Sequence, residues 1–192
     1  MEDNLIRTFL AVPLPNEVKG KKNMFFSTID QSKVQINWIK SQNLHLTLKF
    51  IGYTPENMFG EIVSELSKIF KNQKPFSISV KDTGCFPFPE RPSTLWMGID
   101  GNTNPLKNLV LNIENTMEKL GFPRSYKKFY PHITIARIKY PQKLTPDIQI
   151  FLKSHYDPID LTIDRVQFLA SELLKTGSLY STIKSFPLGE SI

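Results

Sequence analysis

The stretch Leu44-His45-Leu46-Thr47-Leu48 returns, with its chemistry almost unchanged, as Pro131-His132-Ile133-Thr134-Ile135. Both alternate apolar and polar side chains, the period of a half-buried β-strand. The first reads as a strand over 43–52, with Leu44, Leu46, Leu48 and Phe50 on one face and His45, Thr47 and Lys49 on the other. The second reads as a strand over 131–138. The histidines lie 132 − 45 = 87 positions apart, and that offset organises the rest of the chain. A strand expected at 5–12 maps onto one at 94–99. A helix expected at 15–29 maps onto one starting at Asn104-Pro105, and a strand at Phe76 maps onto one around Ile163. Each half thus runs strand, helix, His-bearing strand, helix, strand. Two copies are too few for a solenoid. The expected fold class is α+β: a bilobal duplicated unit, two antiparallel sheets facing a central cleft, helices on the outer sides.

The remaining elements are read from end signals and periodicity. Thr54-Pro55 reads as a helix start, followed by the stripe Met58, Phe59, Ile62, Val63, Leu66, Ile69, Phe70. Leu106, Leu109, Val110, Ile113, Met117 and Leu120 form a second stripe that Gly121 ends. A short helix is expected at 146–153, and closing strands at 161–169 and 179–186. No Gly/Ser/Pro-rich linker separates the halves, so residues 1–192 are expected to form a single bilobal domain around one packed body.

Composition narrows the class further. The chain has 192 residues, 40% of them hydrophobic, with 14 Phe, 6 Tyr and 2 Trp, which excludes disorder and low complexity. A single cysteine, Cys85, excludes an intrachain disulfide and a Cys-based zinc site. The first residues open with acids, and no apolar run approaches the ~18 residues of a membrane span. The expectation is a soluble, cytoplasmic, monomeric protein with no membrane partner. The net charge of +6 leans toward acidic partners such as nucleic acid or phosphorylated metabolites.

Only three histidines occur, and two of them sit in the repeated His-x-Thr-x. Period two places each His and its Thr on one face, away from the aliphatic core face. One His-x-Thr arises readily by chance; two at equivalent points of a repeat point to a site. Imidazoles titrate near neutrality, so one can be neutral while its partner is protonated. The threonine hydroxyls suit the non-bridging oxygens of a phosphodiester. The set can perform an in-line displacement at phosphorus, one His taking a proton and the other giving one. These residues leave open which does which. No metal or cofactor is expected: two His with Thr supply too few ligands. No Walker, dinucleotide or nucleophile-elbow motif is present.

The motifs His45-Leu46-Thr47-Leu48-Lys49-Phe50-Ile51-Gly52 and Pro131-His132-Ile133-Thr134-Ile135-Ala136-Arg137 resemble those of the two-histidine (2H) phosphoesterases. Within these, the chain is similar to the RNA 2′,3′-cyclic phosphodiesterases of the LigT-like (ThpR) group. Supporting matches are Arg7-Thr8-Phe9-Leu10-Ala11-Val12, Trp38, Asn43-Leu44, Gly84-Cys85-Phe86-Pro87, Leu95-Trp96-Met97-Gly98, Gly121-Phe122 and Phe186-Pro187-Leu188. The resemblance implies opening of an RNA 2′,3′-cyclic phosphate to a 2′-phosphate, with a free 3′-OH. It implies His45 as proton donor to the leaving 3′ oxygen and His132 as proton acceptor from water. Thr47 and Thr134 would hold the phosphate. Some members join RNA ends through a 2′-5′ linkage by the same displacement.

Weaker candidates surround the motifs. Strict alternation from His132 points Arg137 to the opposite face unless the strand bends, leaving substrate contact and a structural ion pair open. Phe129 and Tyr130 could stack on a base, with a rim or core role as the alternative. Lys127 and Lys128 could draw in an RNA backbone. Lys49 reads as lying on the His face or at a solvated strand end. His155 reads as surface, and Trp38 and Trp96 as core. Rival readings are a small cyclic nucleotide, cyclic ADP-ribose phosphate or 2′-5′ oligoadenylate as substrate, or a non-catalytic RNA- or nucleotide-binding module.

Overall fold

A computed structural model describes residues 4–174 and 177–189. Among the described residues, nine strands form two antiparallel sheets. The first has the order β3 (His45–Pro55), β1 (Leu5–Pro13), β8 (Arg165–Leu174), β9 (Gly177–Pro187). The second has the order β2 (Ile36–Trp38), β6 (His132–Ile138), β5 (Thr94–Asp100), β4 (Phe76–Phe86), β7 (Ile159–Ile163). The duplication is visible in the pairings: β3 lies on β1 as β6 lies on β5. It also carries an exchange. β4 closes the first half in sequence but pairs with β5 of the second, while β8, its counterpart, pairs with β1 of the first. Each sheet therefore needs both halves of the chain. One buried apolar cluster accordingly takes in residues of both sheets, among them Leu46, Ile133, Leu95 and Phe168.

The helices follow their apolar stripes. α2 (Phe59–Lys71) buries Ile62, Leu66 and Phe70; α3 (Asn104–Lys119) buries Leu106, Leu109, Val110, Ile113 and Met117. α3 ends in a Schellman cap. Gly121, at φ +87°, donates its N–H to Glu118 O (3.0 Å), and Phe122 donates to Met117 O (2.9 Å). The Phe122 ring packs on the core, and from it a loop runs to the second His strand.

Several expectations are corrected. The helix expected at 15–29 is α1 (Asn16–Lys21) followed by a 3₁₀ helix, Lys22–Thr28. Gly20 weakens a longer α-helix. The Thr28 hydroxyl donates to Phe25 O three residues back at 2.7 Å, closing the tighter turn. Thr54 is no helix cap. Its hydroxyl is buried against that of Thr8 at 2.7 Å, and β3 continues to Pro55. A 3₁₀ turn, Glu56–Met58, then leads into α2. The strand expected at 161–169 is two, broken at Asp164: β7 joins the second sheet and β8 the first. The short helix near 146–153 is α4 (Gln149–Leu152). No helix among the described residues is long and apolar enough to cross a membrane.

Candidate active site

The two His strands begin alternately, as their sequences require. Leu46 and Leu48, Ile133 and Ile135 are buried, while His45, Thr47, His132 and Thr134 are half-buried. Each strand then breaks its own period. β3 slips against β1 between Leu10 (opposite Lys49) and Ala11 (opposite Thr47), leaving Leu48 as the extra residue. β6 slips against β5 between Leu95 (opposite Ala136) and Trp96 (opposite Thr134), leaving Ile135 extra. Leu48 and Ile135 are themselves 135 − 48 = 87 positions apart, so the β-bulge is duplicated with the motif. A bulge adds one residue and inverts the facing of the strand residues beyond it.

Three expectations change for this reason. Arg137 comes round to the His132 face, where it is exposed and its charge is felt by both imidazoles. Phe50, its equivalent, leaves the aliphatic face and stands 66% exposed. Lys49 is neither on the His face nor solvated. It is buried, with Nζ 2.6 Å from Glu114 Oε2 of α3 and 2.9 Å from Pro123 O. A second irregularity occurs at Ile51, and Gly52 beyond it adopts φ +96°, a conformation that favours glycine.

The imidazoles are anchored alike. His45 Nδ1 lies 2.7 Å from Asn43 O, and His132 Nδ1 lies 2.7 Å from Tyr130 O, each two residues upstream. A carbonyl only accepts, so Nδ1 carries the hydrogen in both rings. That leaves Nε2 as the working nitrogen. Asn43 is held in turn, its Nδ2 donating to Ser178 O of β9 at 2.7 Å. Aromatic rings wall each His: Phe9 (centroids 5.0 Å) and Tyr180 (5.4 Å) beside His45, Phe86 (5.0 Å) and Trp96 (6.4 Å) beside His132. Phe9 and Trp96 are equivalent in the repeat. Trp96 is thus part of the cleft rather than core, whereas Trp38 packs at the core edge on Phe26. Gly84 makes room for Trp96: a Cβ there would lie 2.1 Å from the indole ring.

Burial holds both imidazoles below the ordinary His pKa. The bonds to Asn43 O and Tyr130 O oppose that shift, while the Arg137 charge adds to it. For His45 a charge on His132 acts the same way. The pair therefore takes up one proton more readily than two, the condition for one acid and one base.

A groove of about 1020 Å³ opens between the strands and α3, with Thr47 and His132 among its lining. Lys127, Lys128, Phe129 and Tyr130 line it from the loop before β6. Tyr130 is exposed and rests on Phe86 and Trp96 (5.7 and 5.4 Å), whereas Phe129 turns inward and packs on the core. His155 is exposed at the surface. Among the described residues no group of three or more His, Cys, Asp or Glu gathers as a metal site. Phe9, Phe50, Phe86 and Tyr180 were not anticipated at the site.

Two imidazoles, each anchored through Nδ1 and each two residues from a threonine, stand at matching points of a duplicated sheet. Residues 37–173 match the 2′-5′ RNA ligase superfamily, and the chain belongs to that family. It is 32% identical over 182 residues to the RNA 2′,3′-cyclic phosphodiesterase of Thermotoga maritima, covering 93% of both chains. It is 33% identical over 162 residues to that of Aquifex aeolicus, covering 82% of this chain and 84% of the relative. Among solved structures, TT0787 of Thermus thermophilus superposes with a TM-score of 0.80 at 25% identity, over 96% of this chain and all of that one. Escherichia coli LigT complexed with 3′-AMP superposes with a TM-score of 0.78 at 20% identity, over 97% of this chain, and shares the fold.

Proposed function

We propose that this protein hydrolyses RNA 2′,3′-cyclic phosphate ends to 2′-phosphates without a metal ion, residues 1–192 acting as one bilobal catalytic unit. The observation that carries the proposal is the matched pair of Nδ1-anchored imidazoles, each with a threonine two residues on. The relatives named RNA 2′,3′-cyclic phosphodiesterase support the substrate. His132 Nε2 takes a proton from water as its oxygen attacks phosphorus. The bond to O3′ breaks opposite, and His45 Nε2–H delivers a proton to that oxygen, leaving a 2′-phosphate and a 3′-OH. The order of the two histidines rests on the family resemblance. Thr47 and Thr134 donate to the non-bridging oxygens, and Arg137 balances the charge that grows on them. With a 5′-OH in place of water, the same displacement makes a 2′-5′ linkage. The protein acts as a monomer in the cytoplasm.

The test is phosphorus NMR of a short RNA ending in a 2′,3′-cyclic phosphate, incubated in EDTA beside a His132→Ala control. A 2′-phosphate that the control lacks is expected. A 3′-phosphate would overturn the direction of opening. Loss of activity in EDTA would overturn the metal-free mechanism, and bound but unaltered RNA would favour a binding module.

A further inference from the structure

The two imidazoles are anchored alike, but the carbonyls that anchor them are held differently. Asn43 and Tyr130 are equivalent in the repeat, 130 − 43 = 87 positions apart. The Tyr130 side chain is a ring that lies on Phe86 and Trp96. Asn43 carries an amide instead, and it precedes the sheet: β3 begins at His45, opposite Pro13. Ser41–Asn43 form a single 3₁₀ turn, in which the Asn43 N–H donates to Lys40 O at 2.8 Å. Leu44 is buried in the core, but Ser41 and Gln42 are exposed, so no packing holds the turn itself. One 3₁₀ turn, with its poorer hydrogen-bond geometry, is a weak mount for a carbonyl that must hold a ring.

What steadies the turn comes from the far side of the sheet. β3 and β9 are the two edge strands of the four-stranded sheet. The sheet curls until those edges meet at His45. There the Tyr180 ring of β9 stands 5.4 Å from the imidazole, and Asn43 Nδ2 donates to Ser178 O of β9 at 2.7 Å. One strand thus reaches the candidate acid twice, directly through Tyr180 and indirectly through the residue whose carbonyl binds His45 Nδ1. An edge strand has carbonyls left over from its ladder. A carbonyl only accepts, so its partner at position 43 must be a donor, which the Asn amide supplies and a carboxylate would not.

We propose that Asn43 is a positioning residue for the acid: its side-chain amide ties the turn to the β8–β9 hairpin, holds the carbonyl that orients His45 Nδ1–H, and so aims Nε2–H at the leaving oxygen. The inference rests on the proposed reaction with His45 as acid. It makes the hairpin at the opposite edge of the sheet part of the mount of that acid.

The test measures single-turnover rates on two substrates, a short RNA ending in a 2′,3′-cyclic phosphate and its analogue with sulfur in place of the bridging 3′ oxygen. A thiolate leaves without being protonated, so the analogue needs no acid. Asn43→Ala is expected to slow the oxygen substrate by about 10- to 100-fold, the cost of displacing a reacting group by about 1 Å, and to keep a near wild-type rate on the sulfur analogue. Its Tm should fall by no more than about 2–4 °C, the worth of one hydrogen bond. Asn43→Ser, whose hydroxyl stops short of Ser178 O, should behave alike and serves if the alanine variant fails to fold. Equal losses on both substrates would assign Asn43 a role in folding or cleft shape alone, and an unchanged rate on the oxygen substrate would show the amide idle. Either result, with His45→Ala still rescued by sulfur, would overturn the proposal and leave the acid in place. Failure of sulfur to rescue His45→Ala would overturn the acid and the inference with it.

Discussion

Lys49→Met removes the ammonium that joins β3 to α3 and to the loop beyond it. Lys49 Nζ sits 2.6 Å from Glu114 Oε2 and 2.9 Å from Pro123 O, and the two side chains of the pair are 2% and 12% exposed. Without it the carboxylate keeps, among the described residues, the Ser125 N–H at 3.3 Å, and Pro123 O loses this donor. Breaking one partner of a buried pair costs about 3–5 kcal/mol, because the other charge stays behind unpaired. Glu114 has an edge at the groove through which water can enter, so the low end applies, about 3 kcal/mol. For a chain of this size each kcal/mol lowers Tm by roughly 2–4 °C, giving a fall of about 6–12 °C. The assay is thermal unfolding followed by circular dichroism at pH 7. Lys49→Met/Glu114→Leu, which removes both charges, should recover most of the loss. The Lys49–Glu114 pair also fixes the loop that ends at Tyr130 O, the acceptor for His132, so kcat should fall in Lys49→Met. A Tm within about 2 °C of wild type, or a double variant that loses the sum of the singles, would refute the reasoning.

His45→Ala and His132→Ala should each lower kcat by about 10²–10⁴-fold, and the double variant should lose little more than either single; multiplicative losses in kcat would show that the two act independently. Because burial and Arg137 hold both imidazoles below the ordinary value of 6.5, the singly protonated pair is lost as pH rises, and kcat/KM should already be falling below pH 6.5. Arg137→Gln removes a positive neighbour and should move that alkaline limb to higher pH while lowering the maximum; a limb that stays or moves down would contradict the assigned cause. Gly84→Ala forces a methyl to within 2.1 Å of Trp96, an overpacking cost of about 1–3 kcal/mol, and should lower Tm and kcat together. An unchanged Tm would show that the indole is free to move aside.

The two His-x-Thr motifs and the 87-residue repeat were legible because they rest on period and identity, which survive without tertiary information. The first residues of each strand obey that period, so His45, Thr47, His132 and Thr134 fall where alternation places them. The bulges at Leu48 and Ile135 were not legible. A bulge is a register choice made against the neighbouring strand, and nothing within Leu48-Lys49-Phe50 or Ile135-Ala136-Arg137 marks it. Its consequences for Lys49, Phe50 and Arg137 were lost with it. The exchange of β4 and β8 lay out of reach for a related reason: strand partners are a long-range outcome that a linear repeat does not encode. Trp96 misled because a Trp on an alternating strand reads as core, whereas its place beside His132 depends on Gly84 of the adjacent strand.

In the proposed reaction His45 is the acid and His132 the base. The most direct test is an RNA 2′,3′-cyclic phosphate whose bridging 3′ oxygen is replaced by sulfur, since a thiolate leaves without being protonated. His45→Ala should recover near wild-type turnover on this substrate, while His132→Ala, which still lacks the group that activates water, should remain inactive. Rescue of His132→Ala instead, or of neither variant, would contradict the assignment.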